Sequence, residues 1–199
     1  MLKTKVKVGN ISNLSDARYC AGMGVALLGF SIGSGYDDMD TKKYKEITEW
    51  VSGPDFVVEW AGADIPDNFA EIIQSYNAGW VEINARDLKN IPPLEVRWIV
   101  SVNADDWDGY QEVIRSNRNR IGYVLLTGLG TGPLNHELIT KIGTEFPLLL
   151  GSGITEKNLD QLSGLPVAGI SLEGTQESTV GLKDYSHLSD ILERLETPD

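Results

Sequence analysis

Cysteine is nearly absent. The single Cys20 in 199 residues cannot form an intrachain disulfide, as expected of a chain kept in a reducing compartment. Histidine is scarce too, with two in the chain, and no Cys/His spacing of the zinc-binding kind occurs. No apolar run approaches the ~18 residues of a membrane helix. Met1-Leu2-Lys3-Thr4-Lys5 leads straight into an alternating pattern without the apolar core of a signal peptide. A cytoplasmic protein is the expectation. Basic residues are outnumbered, 17 Lys and Arg against 29 Asp and Glu, for a net charge of −12. Such a surface repels nucleic acid and anionic membranes, so neither is expected as a partner. It also does nothing to steer a phosphorylated metabolite inward, and its simplest role is solubility.

What the chain does have is a regular alternation of short β-rich runs and helical patterns. The expected strands are Lys3 to Gly9, Val25 to Ser31, Phe56 to Trp60, Trp80 to Asn84, Val96 to Val102, Gly122 to Thr127, Pro147 to Gly151 and Ala168 to Glu173. Several are almost continuously apolar, as strands buried on both faces should be. Helices are expected over Ser15 to Met23, from a cap at Asp40 or Thr41 to about Ser52, and over Asp67 to Asn77, Asp106 to Arg115, Asn135 to Thr144, Thr155 to Leu162 and Asp184 to Leu195. Gly24 suits a helix C-terminus. The segment after the fourth strand is a poor helix, interrupted by Pro92-Pro93.

Eight strand–helix units predict one (β/α)8 (TIM) barrel domain over residues 1–199. The alternative is an open doubly wound sheet, but its G-x-G-x-x-G fingerprint after the first strand is missing. In a barrel the site lies at the C-terminal ends of the strands, with phosphate usually held after strands seven and eight.

Three stretches carry a family resemblance. Lys7-Val8-Gly9-Asn10-Ile11-Ser12-Asn13-Leu14-Ser15-Asp16-Ala17 precedes Gly24-Val25-Ala26-Leu27-Leu28-Gly29-Phe30. Leu125-Leu126-Thr127 precedes Gly130-Thr131-Gly132. Leu150-Gly151-Ser152-Gly153-Ile154-Thr155-Glu156-Lys157-Asn158 precedes Gly169 to Asp184, ending in Gly181-Leu182-Lys183-Asp184. In order and spacing these resemble phosphoribosylanthranilate isomerase, the barrel enzyme of tryptophan synthesis, over essentially the whole chain. The resemblance implies an Amadori rearrangement of an aminoaldose phosphate, with a Cys ending strand one as base and an Asp ending strand six as acid.

Both positions are changed. Gly9 stands where the resemblance implies the Cys, and Thr127 where it implies the Asp. Glycine cannot take a proton, and a threonine hydroxyl is too weak an acid. Each lost proton-transfer group costs about 10²- to 10⁴-fold. Cys20, further along the first helix, is read as a packing residue. The phosphate end differs as well: the implied Gly-Gly is Ser152-Gly153, the two serines after strand eight are Glu173 and Gly174, and an Asp on strand eight is Ser171. Ser152-Gly153 can still offer backbone N–H groups, whereas Glu173 would repel a phosphate. Asn84 replaces a histidine, the Gly33-Ser34-Gly35 loop lacks an arginine, and the loop after strand six is short.

Lys7 faces the same side as Gly9, into the barrel, and a buried lysine needs a partner. Glu82 on strand four is the expected one. A structural ion pair is the simpler reading, and a Schiff-base or proton-transfer lysine the functional one. Asn10, Asn84, Thr127, Ser152, Gly153, Ser171, Glu173 and Gly174 are the expected lining of the mouth. That set suits a small polar molecule, a polyol or amine, better than the phosphosugar the resemblance implies. No metal site or cofactor fingerprint can be read. Asp105-Asp106 is expected to cap a helix. Trp60 and Trp107, near strand ends, could stack a ligand, though packing is the default for tryptophans. Three readings stay open: a divergent barrel that binds a ligand or acts without catalysis, an active isomerase using other groups, and a changed chemistry centred on Lys7 and Glu82.

Overall fold

The computed structural model describes residues 2–35, 38–130, 132–174, 177–179, 182–183 and 186–196. Eight parallel strands close on themselves in chain order: β1 (Lys5–Gly9), β2 (Leu27–Ile32), β3 (Asp55–Trp60), β4 (Trp80–Asn84), β5 (Arg97–Asn103), β6 (Ile121–Thr127), β7 (Leu148–Leu150) and β8 (Gly169–Glu173). The closing pair sets Lys7 beside Ser171 and Gly9 beside Glu173. That pairing removes the open-sheet alternative. Helices α1 (Leu14–Gly22), α2 (Thr41–Thr48), α3 (Phe69–Tyr76), α4 (Trp107–Ser116), α5 (His136–Gly143) and α6 (Ser186–Leu195) accompany the strands. A two-stranded antiparallel ribbon, β9 (Glu177–Thr179) with β10 (Leu182–Lys183), follows β8 and was not anticipated. Thr131, Thr175, Gln176, Val180, Gly181 and Asp184 of the motif stretches, and with Asp184 the expected start of the last helix, lie outside the described residues.

Alternation along each strand makes two cores. Val6, Val8, Leu28, Phe30, Val81, Val100 and Leu126 pack outward with helix residues such as Ala17, Ile47, Ile73, Ile114 and Ile142. Cys20 is buried in this layer, as a packing residue should be. Leu27, Val57, Trp80, Ile99, Tyr123, Leu125 and Leu149 form a separate cluster inside the barrel. Each fully buried side chain of this size stabilises by about 1.5–3 kcal/mol.

Side chains set the helix starts. Asn13 accepts from the Asp16 N–H, Asp40 from Lys43 and Asn135 from Leu138, at 2.9, 2.9 and 3.1 Å. Gly24, at φ 79°, takes the left-handed turn after α1 that a side chain would resist.

Three expectations are corrected here. Asp106 precedes α4 but makes no side-chain cap bond; instead Asn103 accepts from the Asp105 N–H at 3.0 Å and caps a 3₁₀ turn, Ala104–Asp106. The helix expected over Thr155 to Leu162 is reduced to a 3₁₀ turn, Leu159–Leu162. At its start the Asn158 amide donates to Gly153 O at 2.7 Å and accepts from Thr155 N at 2.8 Å, fixing a local turn by side-chain bonds. Trp107 is buried against Phe146 and unavailable to a ligand. The segment after β4 holds only a 3₁₀ turn, Ala85–Asp87, consistent with the two prolines downstream.

Candidate functional site

Inside the barrel, above the apolar cluster in strand order, sits a polar layer centred on Lys7. Its side chain is 1% exposed. The ammonium pairs with Glu82 Oε2 at 2.9 Å, as expected, but its hydrogen bond goes to Glu59 Oε1 on β3. The approach to Glu82 does not have hydrogen-bond geometry, so Glu82 Oε2 is buried without a hydrogen-bond partner. Glu59 was not among the residues singled out in the sequence. Its signal was there: it follows inward-facing Val57 by two positions, the strand period.

Glycines make room for Glu59. Its carboxylate lies where a side chain on Gly29 would stand. A Cβ on Gly9 would come within 2.7 Å of Glu59 Oε1, 3.2 Å of Lys7 Nζ and 3.3 Å of Glu173 Oε2. Glu59 Oε2 also accepts the Asn10 N–H at 2.9 Å. Asn10 takes a left-handed φ of 54°, a conformation asparagine tolerates better than most side chains. The position implied for the family base is therefore occupied by a carboxylate reaching in from β3.

One ammonium thus faces three carboxylates: Glu59, Glu82 and Glu173. Burial alone would depress the lysine, but the charges of Glu59 and Glu82 overcome it and hold Lys7 above its ordinary value as an ammonium ion. Burial pushes the Glu82 carboxyl up to about 7; Lys7 opposes this, and Glu59 and Glu173 add to it. Glu173 is exposed over much of its surface, yet its carboxyl is turned toward Gly9. Desolvation there, with the charge of Glu59, raises it against the pull of Lys7.

The other expected lining residues divide. Ser152, Gly153, Ser171 and Glu173 border one cavity of about 150 Å³, closed on its far side by Leu188 and Ile191 of α6. Asn84 accepts from the Arg86 N–H at 3.0 Å, and Thr127 Oγ1 donates to Val102 O at 3.3 Å, so both serve local backbone. Ser152 Oγ accepts from the Gly128 N–H at 3.0 Å. Gly174 donates its N–H to Gly9 O at 2.8 Å, so that donor serves the backbone. The Trp60 ring lies against Gly33 and Gly62, where no side chain intervenes, and packs edge-on to Phe69. Among the described residues, no group of three or more His, Cys, Asp or Glu side chains is arranged to hold a metal ion. No described helix is long and apolar enough to cross a membrane.

No protein-family model and no curated protein matches the chain. Solved structures do. Phosphoribosyl anthranilate isomerase from Thermotoga maritima superposes with a TM-score of 0.73 at 16% identity, over 96% of this chain and 98% of that one. The enzyme from Thermus thermophilus gives 0.72 at 17% identity, over the same shares. A phosphoribosyl anthranilate isomerase in complex with reduced 1-(o-carboxyphenylamino)-1-deoxyribulose 5-phosphate gives 0.71 at 15% identity, over 96% and 97%. The resemblance carried by the motifs therefore extends to the whole architecture: the chain has the fold of the phosphoribosylanthranilate isomerases.

Proposed function

We propose that this barrel does not run the Amadori isomerisation through the groups its structural relatives' family uses, and that its mouth binds a small polar molecule bearing a cationic group. One observation carries the reading: the Glu59 carboxylate fills the space a side chain at Gly9 would need, beside a second carboxylate at Glu173. A base from β1 has no room, and a phosphomonoester would meet negative charge. Lys7 remains an ammonium between Glu59 and Glu82, so it offers no lone pair for a Schiff base. Its pairing speaks for a structural role, with the excess carboxylate charge left to attract an amine. A fold is shared by many chemistries, so likeness to isomerases does not supply the reaction.

The test is turnover of freshly generated phosphoribosylanthranilate, followed by loss of anthranilate fluorescence. A blank from the unmodified protein is expected, and turnover near 1 s⁻¹ or above, an ordinary enzyme rate, overturns the proposal. Gly9→Cys/Thr127→Asp is not expected to restore activity while Glu59 remains. One observation favours a second reading, an isomerase with replaced groups: Glu82 titrates at about 7, suited to proton transfer. Turnover abolished by Glu82→Gln would establish it.

A further inference from the structure

The end of the barrel opposite the mouth holds an unassigned cluster. Lys5, Asp55, Trp80 and Arg97 begin their strands there, and Tyr123 lies near the start of β6. With Leu27, Gly122 and Pro147 they border a cavity of about 330 Å³, within the size range of small-molecule sites. The apolar cluster of Val57, Ile99, Leu125 and Leu149 separates it from the Lys7 layer. Whatever binds here is independent of the mouth.

The cavity has a buried aromatic wall, Trp80 and Tyr123, and an exposed charged rim, Lys5, Asp55 and Arg97. Gly122 has no side chain, and the Trp80 indole occupies the space one would take. Trp80 stacks on Tyr123 with ring centroids 5.2 Å apart and donates its Nε1–H to Asp55 Oδ2 at 3.1 Å. Arg97 lies over the other indole surface, 4.2 Å from the ring centroid. Its sole carboxylate contact among the described residues is the same Asp55 oxygen, at 3.9 Å, and it donates no hydrogen bond there. Lys5 hydrogen-bonds to the Tyr123 hydroxyl and meets no carboxylate among the described residues. Arg97 therefore has only an Asp55 oxygen already engaged by an indole N–H, and Lys5 has no carboxylate contact among the described residues. In a chain of net charge −12 this concentration of positive charge stands out.

The geometry points to a binding site for a small oxyanion, a phosphate or a carboxylate, at the floor of the barrel. The Arg97 guanidinium donates no hydrogen bond among the described residues and lies over the indole ring, and its planar fork can offer two parallel bonds to an oxyanion. Lys5 supplies a second charge, and the Tyr123 hydroxyl, already accepting from Lys5, has its own proton left to donate.

Inorganic phosphate and malonate, titrated separately by calorimetry into the whole chain at low ionic strength, test this. Saturable one-to-one binding of at least one anion is expected, and the anion that binds identifies the head group. Lys5→Met and Arg97→Met should each weaken it about tenfold or more, Lys5→Arg should retain most of it, and Arg97→Lys, which keeps the charge but loses the two parallel bonds, should fall between. Lys42→Met, an exposed charge on α2 outside both ends, should leave it unchanged. Absence of saturable heat for both anions, or equal binding by the Met variants, overturns the site. Melting curves of the charge-retaining variants separate lost binding from lost folding.

Discussion

Glu59 Oε1 stands 2.7 Å from the position a Cβ on Gly9 would occupy, and the same carboxylate accepts the hydrogen bond of Lys7. Gly9 is thus the absence that lets an acid from β3 reach the barrel axis. The two positions behave as one unit: enlarging the glycine displaces the partner of a buried ammonium.

Gly9→Cys is therefore expected to destabilise the protein by about 1–3 kcal/mol, the usual cost of overpacking. In a Glu59→Ala background the same change should cost less, because the space has been vacated. Urea denaturation of the four proteins in this cycle measures the coupling. Equal costs in both backgrounds would show that the glycine and the glutamate do not compete.

Removing the ammonium should be costlier. Lys7→Met leaves Glu59 and Glu82 without their cation, and breaking a buried pair in this way costs about 3–5 kcal/mol. The loss should be greatest near pH 8 and smaller near pH 5, where Glu82 takes up a proton. The unmodified protein, treated with a small aldehyde and borohydride, should show no adduct at Lys7 by mass spectrometry, since the amine stays protonated.

Stability should fall as pH rises across the range where Glu82 titrates. Its folded value, about 7, lies above the ordinary 4.5. Between these values the folded chain holds a proton that the unfolded chain has released, so raising the pH favours unfolding. Glu173, also raised, acts with the same sign. Thermal melts from pH 4.5 to pH 8 should show this decline, and Glu82→Gln should flatten it. A slope unaltered by that substitution assigns the effect to other groups.

Asn158→Ala should cost about 1–3 kcal/mol, because the buried amide serves Gly153 O and Thr155 N together and its loss strands both. Chemical denaturation gives the value. Asn158→Asp, which turns a carboxylate oxygen toward the Gly153 carbonyl in a buried site, should cost at least as much as Asn158→Ala.

Much of the architecture was legible because apolar periodicity is local. The runs through Leu27-Leu28-Gly29-Phe30 and Val124-Leu125-Leu126 need both faces buried, and the helix starts at Asn13, Asp40 and Asn135 carry their own caps. The misreadings were also local: Asn158 draws its side chain into backbone bonds, and Asn103 outcompetes Asp106 for the turn before α4. The period of two turned Lys7 toward the axis, and the family resemblance put Glu82 there with it. It did not bring forward Glu59, which meets Lys7 from 52 residues away.

The sequence by itself determined a barrel, the inward side of the first strand at Lys7, and a glycine and a threonine at positions 9 and 127, where the family resemblance implies base and acid. Only the tertiary structure decided that Glu59 crosses Gly29 and Gly9 to join Lys7, that Gly174 spends its N–H on Gly9, and that Lys5 and Arg97 border one cavity at the floor. The reason is geometric. Side-chain direction follows from the chain's own repeat, whereas which inward residues meet at one height depends on the stagger of eight closed strands, and that exists only once the first strand pairs with the last.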